Sequence, residues 1–433
     1  MQTSNLRQLR CYVVTLALVL AWTTPSMAAT VLQFWHWWLD APQFEDVVQR
    51  FNESHPDIKV ESIGLPQQGR ESKVIAAMAT DARPDILMAT RAEVIYFADI
   101  KAIIPIEPYL DKLGIDLNQF YPTEVAAFRW DGQLWTLPMP TVGGNESLIF
   151  YNRSLLAQAG IPENALNTWT DLEVLARKVN RWENNQLNLL GFDVATYNRY
   201  NAILYANAGD LLSPDLRNVQ FNNATGIEAL EWMVDYTTNF NHGLDALTQF
   251  TKGGGLTARF REGKLAAMFS GISKYAGFKK EGQIDFGIAL VPYNDRNPNA
   301  THRGIAGNLF GWGYVIPADS TPEKRDAALE FIKFLTTSMD GGCRFLQSLG
   351  RPSPLRRCNA SRIYLDTNPD WDVVGRALES DVPYPMTPVY NDIQTIFDKM
   401  YAQIMGQKIP AQQALEDLAR RSQAVLDAYW KNK

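Results

Sequence analysis

The chain is poor in cysteine, in histidine and in long apolar runs. It has three Cys and four His in 433 residues. If the first segment is removed by processing, only Cys343 and Cys358 remain. Two thiols cannot build a thiolate zinc site, and the histidines do not cluster. Beyond the first segment no stretch approaches the roughly 20 apolar residues that span a bilayer. Blocks of basic residues are also missing, and the formal charge is −6. An acidic chain without such blocks argues against nucleic acid and anionic membrane surfaces as partners. There is no phosphate-loop Gly-x-x-x-x-Gly-Lys-Ser/Thr, no His-Glu-x-x-His and no Gly-x-Ser-x-Gly elbow. No cofactor is expected.

The first segment reads as a secretory signal over residues 1–28. Arg7 and Arg10 precede an apolar run to Trp22, and Ser26-Met27-Ala28 supplies small residues for cleavage near Ala29. Export fits the cysteine usage, because an oxidising compartment favours a Cys343–Cys358 bridge. Removing Arg7 and Arg10 takes the charge from −6 to −8. Twelve Trp and 46% hydrophobic residues allow large cores, and the length implies two domains or three.

Strand and helix signals alternate at the start of the remaining chain. Val31–Trp35 reads as a strand. A helix follows, capped by Asp40, with Phe44, Val47, Val48 and Phe51 at helical spacing. Ile58–Ile63 is a strand, Glu71–Thr80 a helix and Asp85–Ala89 a third strand. This order implies a parallel sheet with right-handed crossovers. Ligands bind beyond the carboxyl ends of such strands, which marks His36–Asp40, Gly64–Arg70 and Thr90–Glu93. A second α/β region begins near Leu148. Thr170-Asp171-Leu172-Glu173 reads as a capping box there. Further helices are expected over 225–239 and from Thr321, strands at 266–269, 286–291 and 311–316, and two closing helices split near Gly406 and Pro410.

Four stretches carry a family resemblance: Phe34-Trp35-His36-Trp37-Trp38 with Phe51-Asn52-Glu53-Ser54-His55-Pro56-Asp57; Pro84-Asp85-Ile86-Leu87-Met88 with Pro105–Leu110; Trp130-Asp131-Gly132-Gln133-Leu134-Trp135 leading to Leu148–Asn152 and Trp169–Leu172; and Phe260–Gly271 with Ala327–Leu335. In order and spacing the chain resembles the extracellular (periplasmic) solute-binding proteins, the family of maltose-binding protein and other sugar receptors of ABC importers. The resemblance implies a two-lobed α/β periplasmic-binding-protein fold with discontinuous lobes and hinge-crossing strands. Lobe one would hold 30–143 and 300–340, and lobe two 148–291 and 345–433. The crossings would fall near Gly143-Gly144, Asn294–Thr301 and Asp340–Cys343.

It also implies a periplasmic monomer that captures a mono- or oligosaccharide between its lobes and delivers it to the membrane permease subunits of an ABC transporter. The expected ligand groups are Trp37 and Trp38 after the first strand, Arg91 and Glu93 after the third, and Asn145 at the hinge. Asp193, Tyr197 and Ser273 would come from the second lobe, with Tyr275 replacing the aromatic that relatives present near Ser273. Asn308 and Trp312 lie beside a hinge strand, and Arg351 follows Gly350. Aromatic rings cover the apolar face of a sugar while amides and carboxylates meet its hydroxyls. The scarcity of basic residues at these positions favours neutral polyols over anions. Two alternatives stand beside this reading: the same fold binding a non-sugar solute, and an exported carbohydrate-active enzyme.

Overall fold

The computed structural model describes residues 29–38, 42–66, 68–139, 148–306 and 311–433. The proposed signal segment, Asp40, Gly143-Gly144, Asn145 and Asn308 lie outside the described residues. The first unit is built from β1 (Thr30–His36), α1 (Pro42–Ser54), β2 (Ile58–Gly64), α2 (Arg70–Met78), β3 (Ile86–Thr90) and α3 (Arg91–Asp99). β1 is the parallel partner of both β2 and β3, with Thr30 opposite Ile58 and Phe34 opposite Ile86. A late strand, Trp312–Val315, returns antiparallel to β3 and sets Trp312 opposite Thr90.

Alternation along β1 sends Leu32, Phe34 and His36 into the core. There Phe34 meets the ring of Phe331 edge-on at 5.4 Å. Phe331 belongs to the helix Pro322–Thr337, whose start follows from sequence: the Thr321 side chain accepts from Lys324 N–H and proline takes the first turn. α1 buries Phe44, Val47, Val48 and Phe51, the helical stripe its sequence spells. The expected parallel sheet is therefore present, with strand limits shifted by about one residue.

The second unit is centred on Leu148–Asn152, which pairs antiparallel with both Ala267–Ser270 and Phe286–Leu290. All five residues of the central strand are buried. Leu148 lies opposite Ser270 and Leu290, so one end of this sheet gathers the exits of two strands and the entry of the third. The helix expected to open at Thr170 instead spans Trp169–Val179 and is capped by Thr168. The Thr168 hydroxyl accepts from Asp171 N–H at 3.2 Å, and the Asp171 carboxylate accepts from Thr168 N–H at 2.8 Å. A carboxylate three residues after a threonine closes the box as well when it is Asp, and this displaces the start by two residues.

The C-terminal helices Tyr390–Met405 and Ala411–Lys431 are split where expected. The end of the last helix ties both units together. Tyr429 donates to Asp99 of α3 at 2.5 Å, and Lys433 pairs with the same carboxylate. Trp430 stacks on Trp130 and donates to the Leu216 carbonyl at 3.2 Å. Cys343 and Cys358 form a buried disulfide across a separation of 15 residues. The closed loop carries Gly350 and Arg351 at its centre.

Candidate functional site

Three tryptophans meet where strand ends of the first sheet converge. Trp37 and Trp38 leave β1, and Trp312 begins the strand beside β3. Gly311 supports this geometry: its φ of 88° turns the chain into the strand, and its carbonyl accepts from Arg91 N–H at 3.2 Å. Trp37 and Trp38 meet Trp312 edge-on, with centroids at 5.5 and 5.3 Å. Trp38 also packs on Phe345 at 5.2 Å. All three are half-buried and rest against the core rather than inside it. The indole N–H groups of Trp38 and Trp312 are enclosed and have no acceptor among the described residues.

Two guanidinium groups border these rings. Arg70, the first residue of α2, sits 4.4 Å from the centre of Trp37. Its Nη2 donates to Glu93 at 2.7 Å, and both side chains are buried. Arg70 Nη1 has no partner among the described residues. Arg351 stands 5.6 Å from the Trp38 ring and 5.9 Å from Trp312. It reaches the boundary between the units because Gly350, at φ 60°, is pressed against Ala276. A Cβ on Gly350 would lie 2.7 Å from that methyl group. Burial lowers the Arg351 pKa, yet a guanidinium stays charged at neutral pH.

The other expected site residues are placed differently. Glu93 has both carboxylate oxygens engaged: one accepts from Arg70, the other from Thr90 N–H at 2.7 Å in a complete capping box. Arg91 is 3% exposed and donates to the carbonyls of Ala127 and Tyr384 at 2.6 and 2.5 Å. Burial drops its pKa to about 10. Asp193, 3% exposed, turns back on its own loop and accepts from Ala195 and Thr196 N–H; burial raises its pKa. Tyr197 is 51% exposed, with Arg199 over its ring at 5.7 Å. These two are not brought to the tryptophans.

Ser273 is half-buried in the short turn before the helix that carries Ala276. Ser270, at the end of its strand, keeps a buried hydroxyl without a partner among the described residues. Tyr275 does not serve as a replacement aromatic: it is fully buried and donates to Asp370 at 2.6 Å. His36 is buried beneath the rings, with Nε2 3.6 Å from Glu45, and its Nδ1 accepts from Trp38 N–H at 3.1 Å. Burial lowers its pKa, which favours the neutral ring. Arg70 was not nominated individually from sequence, although it closes the marked segment after β2.

A two-lobed α/β molecule with half-open rings and unspent donors at its strand ends has the construction of a solute receptor. The chain belongs to the bacterial extracellular solute-binding protein family, whose model matches residues 46–355. The sn-glycerol-3-phosphate-binding periplasmic protein of Salmonella paratyphi A is 22% identical over 435 residues, covering 96% of this chain and 97% of its own. The sugar-binding protein MalE of Xanthomonas citri has a similar structure, with TM-score 0.77 and 21% identity over 92% of this chain and 98% of that one. The cyclic alpha-maltosyl-1,6-maltose binding protein of Arthrobacter globiformis gives TM-score 0.75 and 20% identity over 93% and 100% of the two chains. Among the described residues no helix is long and apolar enough to cross a membrane.

Proposed function

We propose that this chain captures a sugar or oligosaccharide in the cleft between lobe one (30–143 and 300–340) and lobe two (148–291 and 345–433). It then passes the solute, unaltered, to the permease subunits of its importer. The observation that carries this reading is the Trp37–Trp38–Trp312 cluster. Its rings are half-open, they stand at the carboxyl ends of parallel strands, and Arg351 joins them from the boundary with the second lobe. One ring face covering about 60 Å² of sugar contributes roughly 1.5 kcal/mol. Donors from both lobes would satisfy the hydroxyls only when the lobes meet, so the ligand favours the closed form by its differential affinity. The sugar receptors among the structural neighbours support this choice of solute. Export through a cleaved signal to the periplasm, and action as a monomer, belong to the same reading.

The test is a thermal-shift panel of neutral mono- and oligosaccharides, followed by solution scattering with any that bind. A binding sugar should lower the radius of gyration. Release of a cleaved product would instead favour the carbohydrate-active enzyme.

A further inference from the structure

Two side chains of the disulfide-closed loop press on the tryptophan rings. Phe345, two residues after Cys343, meets Trp38 at 5.2 Å and Phe44 of α1 at 4.9 Å, both edge-on. Arg351 covers Trp38 at 5.6 Å and Trp312 at 5.9 Å. Both are carried by one short element. The helix Arg344–Ser348 has five residues, and the amides of Gly350 and Arg351 close back on its Gln347 and Leu346 carbonyls at 2.9 Å each. A helix of this length does not hold itself, since isolated helices below about 12–15 residues are marginal. Its place is set by what anchors its ends. One anchor is Cys343, whose carbonyl accepts from Tyr364 at 2.8 Å and whose sulfur is bonded to Cys358. The other half of the loop is fastened to the first unit: the Pro354 carbonyl accepts from Tyr121 N–H at 3.1 Å, and Leu355 bridges to Phe120. Asn359, next to Cys358, grips Ser353 N–H and its carbonyl at 2.7 and 2.8 Å.

We propose that the Cys343–Cys358 disulfide is a positioning device of the tryptophan site. It joins the start of the helix that carries Phe345 and Arg351 to the fastened half of the loop, and so fixes the angle at which these side chains hold Trp38 and Trp312. This role is separate from the restriction that any cross-link places on the unfolded chain. Both cysteines are buried, so the bond serves as a permanent brace. The consequence for binding rests on the reading of the cluster as the solute site: rings already oriented lose less freedom when a sugar lies on them. The positioning itself is read without a solute.

The experiment uses the intact protein labelled with fluorotryptophan. Fluorine NMR resonances are assigned with single Trp→Phe variants, and hydrogen exchange is followed by mass spectrometry. Cys343→Ala with Cys358→Ala should shift and broaden the resonances of Trp38 and Trp312. The stacked pair Trp169 and Trp232 in the second unit should stay in place. Amides over 344–357 should exchange about tenfold to a hundredfold faster, within what a loop of this length allows, with unchanged far-ultraviolet circular dichroism. A second variant keeps the bridge and the folding it supports: Gly-Gly inserted between Arg351 and Pro352 slackens the tether and should move the same two resonances. Resonances of Trp38 and Trp312 that stay fixed in either folded variant overturn the inference, because the bridge then contributes stability alone. Equal movement of all four tryptophans overturns it as well, since the loosening is then global. If these shifts are present and no sugar binds, the proposed function fails and the brace stands; sugar binding without the shifts gives the reverse.

Discussion

Glu93 separates two roles that the sequence alone leaves entangled. Its position after β3 invites a ligand contact, but its oxygens are committed to Arg70 and to the Thr90 amide, each at 2.7 Å. Glu93→Ala removes both partners at once. It leaves a guanidinium 7% exposed with no counterion, and breaking a buried pair from one side costs about 3–5 kcal/mol. Loss of the reciprocal cap at the start of α3 is worth about 1 kcal/mol of that. Arg70→Met combined with Glu93→Met should recover most of the loss, because removing both charges takes away the desolvation cost as well as the attraction. The assay is urea unfolding followed by tryptophan fluorescence and far-ultraviolet circular dichroism, with coincident transitions required before a free energy is extracted. The single variant should unfold at a clearly lower midpoint, and the double variant should lie near the wild type. A Glu93→Ala protein with an unchanged midpoint and abolished solute binding would refute the structural assignment and return Glu93 to the ligand.

Other perturbations have equally definite outcomes. Trp37→Ala with Trp38→Ala should weaken solute binding about tenfold per ring that covers the ligand, at roughly 1.5 kcal/mol each, without abolishing the unfolding transition. Replacing Cys343 and Cys358 by Ser should cost up to about 3 kcal/mol for a 15-residue loop. Non-reducing peptide mapping of the native protein should recover the linked pair. His36 has a lowered pKa because burial disfavours its charged form, so the unfolded chain takes up its proton first. Its contribution to stability is present above the ordinary imidazole value of about 6.5 and is lost as pH falls through the folded value. His36→Gln should flatten that part of the stability profile, and an unchanged profile would exclude His36 as its source. Truncation before Tyr429 should remove the contacts to Asp99, Trp130 and Leu216 and enlarge the unliganded protein in solution scattering.

The first sheet was legible because its signals are local and repeated. Phe44, Val47, Val48 and Phe51 state a helical face outright, and β1 and β3 are short apolar runs bounded by turns. The tryptophans were reachable by one further step, since the strand-end rule needs only the order of elements. Charged residues were harder, because an acid near a strand end can serve the backbone or a ligand. For Glu93 a deciding signal was present: Thr90-Arg91-Ala92-Glu93 has the spacing of a capping box, and the box formed. Asp193 carries the same ambiguity and was claimed by amides two and three residues further on. Arg70 had no local signal of its own, because its meeting with Trp37 depends on the packing of α2 across the sheet.

The last helix shows why an argument from strand ends stops short of the closed molecule. Its inward stripe of Ala414, Leu415, Leu418, Ala419, Ser422 and Leu426 follows from periodicity. Its outer end does not, because Tyr429, Trp430 and Lys433 take partners from α3, from Trp130 and from the loop at Leu216. Those partners come from the first unit and from the loop at Leu216, so on the proposed reading of the lobes the C-terminal turn is loaded when they change their angle. The aromatic stack adds about 0.5–1.5 kcal/mol beyond the area it buries, the same order as one ring face on a sugar. A receptor must not close firmly without its solute, or capture would lose its free-energy difference. Contacts of this size hold α3, Trp130 and the loop at Leu216 together, and on the proposed reading they leave the decisive increment to the solute.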